Sequence, residues 1–446
     1  MKTLIAARPL AEAVIACAAC LEKDPLRHHP GRLSLGHDAG ALVLATSTRS
    51  GRVRMSFRIP CSPGATWSVL LDSDTASRLA RALRPFGTAK ANGAAQLQLQ
   101  RLDQSLAVLA GVQRLTFPVR EPELEDAPVV ETVTDVVAAD LSARIAGAMA
   151  FTSAGDYRSI AKGPFLYFAQ AGGGLAVSVV VGTDGHRLFV DGDARDGTGA
   201  DTVLQVAGED WKPAAKAMGT RFDTVELARA PTRRTGQDGA GPEQARQPTF
   251  LVFRSADRSV HLAAAEPETT LPRWSGFLLD RHEDSDLVVR CERDALAAAV
   301  KAVSVVGTRR NAACMLRGLR ERGILQVCVQ VDDGAVVRQD VAADVHRAPA
   351  GYLHLNGRYL QDALAAVRTP TVQLLQHATP LDAVRLVEVG SEAGDLRPRG
   401  IVIMPIRGHD PVEEDTSTEL EEPTTTAAAT DHAQETCGEP LSAPPA

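Results

Sequence analysis

Apolar positions follow a helical period from Arg8 to Leu21, then alternate with polar ones from Arg32 to Ala45 and from Gly51 to Ile59. The first pattern predicts a helix and the other two predict strands. A second helix is expected from Asp72 to Leu83, opening behind the aspartate, and two further alternating segments close at Val119. The same order then returns. A helix over Ala138 to Phe151 leads to strands at Phe165 to Ala169, Leu175 to Val181 and Leu188 to Asp191. After these come a helix over Glu209 to Met218 and strands around Val225 and from Phe250 to Ala264. A third round has a helix over Glu292 to Val305, strands near Met315, Leu325 and Val336, a helix over Gly357 to Val367, and strands near Val372, Val384 and Val402. The recurrence at about 130 residues is too long for a solenoid array. It fits three tandem α+β domains of ordinary size.

Length agrees, since 446 residues make about three domains, each large enough to bury a core. Apolar residues are 44% of the chain and aromatics only 4%, so the cores are expected to be built of Val, Leu and Ala. No run approaches the roughly 18 apolar residues of a membrane span. Met1-Lys2-Thr3-Leu4-Ile5 has no long apolar leader and reads as a first strand. A cytoplasmic protein without a membrane partner is expected.

Charge narrows the partners. With 48 basic against 55 acidic residues, a net of −7, any nucleic-acid site must be a local basic surface on an acidic body. Pro411 to Ala446 is rich in Glu, Asp, Thr, Ala and Pro and has no Lys or Arg, so it is expected to be a disordered tail. Ala230 to Gln247, rich in Gly, Pro, Arg and Gln, is expected to be a long hairpin loop.

Enzyme signatures are missing: there is no P-loop, GxGxxG, HExxH, GxSxG or zinc-ligand spacing. Seven scattered cysteines make no disulfide framework, and Cys17 and Cys20, inside an alanine-rich helix, read as packed core thiols. Asp191 to Gly197 is close to a calcium loop, but its glycine comes one place late and the closing glutamate is absent, which leaves a polar hairpin loop. The adjacent His28 and His29 find no third ligand. No cofactor and no metal are expected.

One motif carries more than turn chemistry. In Gly182-Thr183-Asp184-Gly185-His186-Arg187-Leu188, aspartate can bond the backbone and glycine can supply a positive φ between two strands. Turn chemistry gives no reason for His186 and Arg187 to follow. Here the chain resembles the bacterial sliding clamp family, the β subunit of DNA polymerase III. That family carries a Thr-Asp-Gly-His-Arg-Leu segment in its middle domain, matched by 183–188. Its third domain has an Asn-x-x-Tyr-Leu-x-x-x-Leu element, matched by Asn356, Tyr359, Leu360 and Leu364. A Met-Pro-Met-Arg-like ending is matched by Met404-Pro405-Ile406-Arg407. The three stand in the family's order over residues 1 to about 408.

The resemblance implies clamp domains at 1–126, 127–284 and 285–408, with 409–446 as the acidic tail. It implies a head-to-tail homodimer whose six domains form a ring around duplex DNA, helices inside and sheets outside. Such a ring acts without catalysis as a processivity factor in DNA replication, and binds the polymerase and the clamp loader through short peptide motifs. The peptide pocket falls between domains 2 and 3, with Thr183, His186, Arg187 and Leu188 on one wall, Val402, Met404 and Pro405 on another, and Pro272 and Phe277 from the intervening segment. A further wall is implied at Ile160 or Ala161. Leu, Met, Val and Pro suit the aliphatic and aromatic side chains of a peptide, and Thr, His and Arg at the rim can orient its backbone. DNA contact without base reading calls for cations on inward helices. The candidates are Lys23, Arg27, Arg78, Arg81, Arg144, Arg158, Lys212, Lys216, Arg293 and Lys301, with Arg84 after the second helix and Arg358 and Arg368 on the sixth helix or at its end.

Two positions depart from the family. Asp24 precedes Pro25 where an arginine is common, and Ser159 and Ile160 follow Arg158 where aromatics are common. Three readings stand: a replicative clamp, a diverged paralogue from a phage, plasmid or resistance locus with altered partners, and an unrecognised enzyme of repeated α+β domains.

Overall fold

The structure, a computed structural model, describes residues 2–21, 31–48, 51–87, 95–121, 131–137, 141–153, 161–171, 174–192, 202–218, 222–229, 249–268, 285, 287–306, 313–331, 335–349, 351–376, 382–389 and 399–407. Its elements repeat one order three times: strand, helix, four strands, helix, three strands. The first pass is β1 (Lys2–Ala6), α1 (Ala7–Leu21), β2 (Arg32–Asp38), β3 (Ala41–Ser47), β4 (Val53–Pro60), β5 (Trp67–Asp72), α2 (Ser73–Leu83), β6 (Gln96–Arg101), β7 (Ser105–Ala110) and β8 (Gln113–Pro118). The second is β9 (Glu131–Val137), α3 (Leu141–Met149), β10 (Phe165–Ala171), β11 (Gly174–Thr183), β12 (Arg187–Asp191), β13 (Thr202–Val206), α4 (Gly208–Met218), β14 (Thr224–Arg229), β15 (Thr249–Ser255) and β16 (Arg258–Ala265). The third is β17 (Leu287–Glu292), α5 (Arg293–Val306), β18 (Ala313–Leu319), β19 (Ile324–Gln330), β20 (Val336–Arg347), β21 (Leu353–Asn356), α6 (Gly357–Ala366), β22 (Thr371–Gln376), β23 (Val384–Val389) and β24 (Arg399–Ile403).

The alternating patterns become antiparallel strands with one face on the core, as in β4, whose Val53, Met55, Phe57 and Ile59 are buried while the residues between them are more exposed. Helices lay their apolar stripes on the same core: Leu79 and Leu83 of α2, Leu296, Val300 and Val303 of α5. Asp72 caps α2 by accepting the Thr75 N–H at 2.7 Å, and Asn356 caps α6 by accepting those of Arg358 and Tyr359. Cys17 and Cys20 are packed in the core of α1, where burial, with a smaller contribution from the neighbouring Cys20, pushes the Cys17 thiol far above its ordinary range.

Three segments differ from the sequence reading. Arg32 to Ala45 is a hairpin and not one strand, turning at Ala39 (φ 45°) and Gly40 (φ 81°); two residues in the left-handed region match a tight hairpin turn, and alanine in that role hid it. The stretch closing at Val119 holds three strands, β6 to β8, with a glycine turn at Gly111. Unread altogether were β5, β13 and β21, which hold the same place in each pass, and β9 and β17, which open the second and third. Each is short and leads into a helix, so its few alternating positions were absorbed into the approach to that helix. The 230–247 loop, most of the Asp191 to Gly197 loop, His28, His29 and the 411–446 tail lie outside the described residues, as does the residue at or beside each domain boundary.

Two joints link the passes. The last strand of the second pass, β16, pairs antiparallel with β4, with Val260 opposite Met55. The last strand of the third, β24, pairs in the same way with β12, with Leu188 opposite Val402. Residues 1–408 pack as one compact unit.

Candidate functional site

The second joint brings the two distant motifs together. β11 and β12 are joined by the turn at 183–186, which short-range bonds shape. The Thr183 hydroxyl donates to the Arg187 carbonyl at 2.7 Å and accepts the Gly185 N–H at 3.0 Å. Asp184 Oδ1 accepts the N–H groups of His186 and Arg187. Gly185 takes φ 86°. Just before the turn, a Cβ on Gly182 would lie 2.1 Å from the Ala148 carbonyl oxygen at the end of α3, so the motif's first glycine lets helix and strand touch.

Residues 402–406 run past this turn. The Met404 N–H donates to the His186 carbonyl at 2.8 Å, and the Ile406 N–H to the His354 carbonyl of β21 at 2.9 Å. Leu188, 8% exposed, and Val402, 2% exposed, join a small apolar cluster with Phe165, Tyr167, Val179, Val181 and Val190. Met404, Pro405 and Ile406 remain half-buried. A dry floor with an adaptable methionine at its margin is suited to an apolar peptide side chain.

Of the polar residues expected at the rim, His186 alone is exposed, its ring stacked near that of Tyr359 at 6.4 Å. Thr183 and Arg187 are buried. The Arg187 guanidinium lies 4.4 Å over the Tyr359 ring and 5.4 Å over that of Phe151, donating to Asp184 Oδ2 at 2.9 Å and to Asp362 Oδ2 at 2.5 Å. Both residues are framework, because they are buried and the bonds they make are to the protein's own groups. Ala161 is fully buried. Pro272, Phe277 and Ile160 lie outside the described residues.

The helix cations divide. Arg78, Arg81 and Arg84 in and after α2, Lys212 and Lys216 on α4, Lys301 on α5 and Arg358 on α6 are exposed. Arg293 is half-buried, donating to Asp294 and to the Val367 carbonyl. With Lys301, Gln361 and Ala365 it lines a groove of about 410 Å³ between α5 and α6. Arg368 is spent on Glu388. Arg144 must be withdrawn from the DNA candidates. It is 2% exposed, binds Asp191 Oδ1 at 2.9 Å, and donates to the carbonyls of Val177, Ser178 and Asp191. What α3 exposes, Ala143 and Ala146, carries no charge. Lys23, Arg27, Arg158, Asp24 and Ser159 lie outside the described residues.

At the first joint the corresponding sheet face is polar. Arg52 donates to Asp210 at 2.7 Å, yet burial outweighs the arginine and holds that carboxyl above its ordinary range. Burial, with Arg254 and Arg54 nearby, pushes His261 down to about 4. Among the described residues no group of three His, Cys, Asp or Glu side chains could hold a metal ion, and no helix is long and apolar enough to cross a membrane.

Sequence reasoning missed Asp362 and used Tyr359 only as a motif match. Their spacing of three on α6, which puts both on one helix face beside the turn, was the available signal.

No protein-family model matches the chain, and no curated protein matches it significantly. Solved structures do. The DNA polymerase III subunit beta of Pseudomonas aeruginosa is 16% identical, with a TM-score of 0.66, over 92% of this chain and 100% of that one. The beta subunit from DNA polymerase of Streptococcus pyogenes is 15% identical, with a TM-score of 0.65 and the same coverage of both chains. The DNA polymerase III beta subunit of Thermotoga maritima, 10% identical, also reaches 0.65 over 92% of this chain and 100% of that one. The chain has the α+β fold of these sliding clamps across its described body.

Proposed function

We propose that the protein is a sliding clamp: three domains per chain, two chains closed head to tail around duplex DNA, and no catalysis. One observation carries the reading. The third of the four strands in a pass, β4 or β12, receives the last strand of the following pass. The matching edges left over are β8, last of the first pass, and β20, third of four in the third. Among the described residues β8 pairs in register only with β7, and the first half of β20 only with β19. Both are unusually open: Gln113 to Thr116 are all exposed, as are Arg338, Gln339 and Asp340. A second copy, placed head to tail, supplies each edge with its complement and closes the set. Beside β20, the alanine face of α5 (Ala295, Ala298 and Ala302) borders a groove of about 320 Å³, where the equivalent α1 packs against α4 at the first joint.

The exposed cations of α2, α4, α5 and α6 suit weak contact with phosphates and no base reading. The Leu188–Val402 floor suits a short peptide from a polymerase or clamp loader, with Pro272 and Phe277 assigned to its remaining wall. A diverged paralogue is favoured by one feature, the charge-free exposed face of α3, which weakens the basic lining where the resemblance called for Arg144. The test is topological. Protein loaded on a nicked circle is expected to stay until the circle is cut and then slide off. Retention on linear DNA without end blocks counts against the ring.

A further inference from the structure

We propose that Asp362 is a positioning residue of the peptide site, acting through Arg187, so that the site is built on α6 as well as on its own strands. The inference rests on the peptide-site reading above. Arg187 stands between exposed His186 and buried Leu188, so its placement sets both the rim and the floor. Within the turn only Asp184 holds its side chain, on one edge of the guanidinium. The other edge is taken by Asp362, from the third pass, while the Phe151 and Tyr359 rings lie against the group. A planar cation fixed by two carboxylates and two rings has one orientation available.

A second tie supports this. At the start of β24, Arg399 donates to the Ala366 carbonyl at the end of α6 at 3.1 Å and to Asp191 of β12 at 2.8 Å. Both strands of the floor are therefore fastened to α6, one by Asp362 near its middle and one by its last carbonyl. Removing the Asp362 charge frees one edge of Arg187, a cation that is itself 7% exposed and so poorly placed to be answered by water. The turn then gains freedom that a peptide must remove on binding, and affinity falls.

The test uses the full chain and a peptide of glutamine followed by aliphatic and aromatic residues. Asp362→Asn keeps the side chain's size and half-exposed position, and is expected to weaken the peptide about tenfold. Arg187→Lys keeps the charge but loses the fork, and is expected to weaken it similarly, with the double variant no worse than either single one. The His186 ring resonances are expected to broaden or shift in both, which a merely structural loss of stability does not produce. If Asp362→Asn binds as wild type while Met404→Ala still weakens the peptide, the positioning role is overturned and the site stands. If neither variant weakens it, both fall. Additive losses in the double variant also overturn the proposal, and remain readable should one single variant fold poorly.

Discussion

Leu188 stands directly opposite Val402 across the β12–β24 pair, so the end of the middle motif and the strand that leads into the last one share one apolar floor. Their exposures set what substitution can report. Leu188 is almost wholly enclosed, and Leu188→Ala is expected to cost about 2–3 kcal/mol of stability through its cavity. Met404 is half-open, and Met404→Ala is expected to leave the melting temperature within a few degrees while weakening a polymerase-type peptide by about threefold to tenfold. Calorimetry on that variant decides: unchanged affinity removes Met404 from the site.

Ring closure is expected to depend on the unmatched edges. Leu115 on β8 is 41% exposed and Val305 at the end of α5 is 79% exposed, unusual positions for large apolar side chains in a finished surface. Leu115→Asp and Val305→Asp are each expected to weaken dimerisation by at least about tenfold, with circular dichroism unchanged. Sedimentation at micromolar concentration measures this, and dimers of undiminished affinity in both variants would place the interface elsewhere.

Sequence order and spacing made the threefold repeat legible because strand and helix periods are local properties. Elements that local signals barely mark stayed hidden: β5, β13 and β21 are short, and the Ala39–Gly40 turn uses a residue seldom found at positive φ. The motif's turn chemistry was readable at Asp184 and Gly185, since their partners lie within three residues. The role of Arg187 was not, because Asp362 comes from another pass and only the fold brings it near. Arg144 failed for the same reason: a lone arginine on a predicted helix looks solvated until Asp191 is seen beneath it.

That contrast gives two outcomes on one kind of residue. Arg78→Glu and Lys212→Glu change exposed cations on α2 and α4, so folding is expected to be unaffected, while direct DNA association weakens and its salt slope drops by about one per lost contact. Arg144→Ala takes from the buried Asp191 the cation that holds its Oδ1, and is expected to cost about 3–5 kcal/mol of stability. Salt-titrated binding and denaturant melts separate the two. If Arg144→Ala melts as wild type and loses DNA binding, its assignment to the core is wrong.

His261 should make stability fall in mild acid. On β16 it faces Arg54 of β4 across the first joint and Val252 of β15 on its other side, with Arg254 and Glu226 close by, and its folded pKa is about 4. In the unfolded chain the imidazole takes up a proton near pH 6.5. Between those values the unfolded state binds the extra proton, so stability is complete above about pH 6.5 and drains away as pH falls toward 4, by about 2–3 kcal/mol in all. Below that the folded imidazole is protonated too and the slope ends. Asp210, whose carboxyl is held high, pulls the other way as pH falls, so the quantity to measure is the difference between wild type and His261→Gln. Denaturant melts from pH 7.5 to 4.5 are expected to show the two curves converging as pH falls, with the wild type losing more. Parallel curves would mean that His261 is protonated in the folded chain as readily as in the unfolded one.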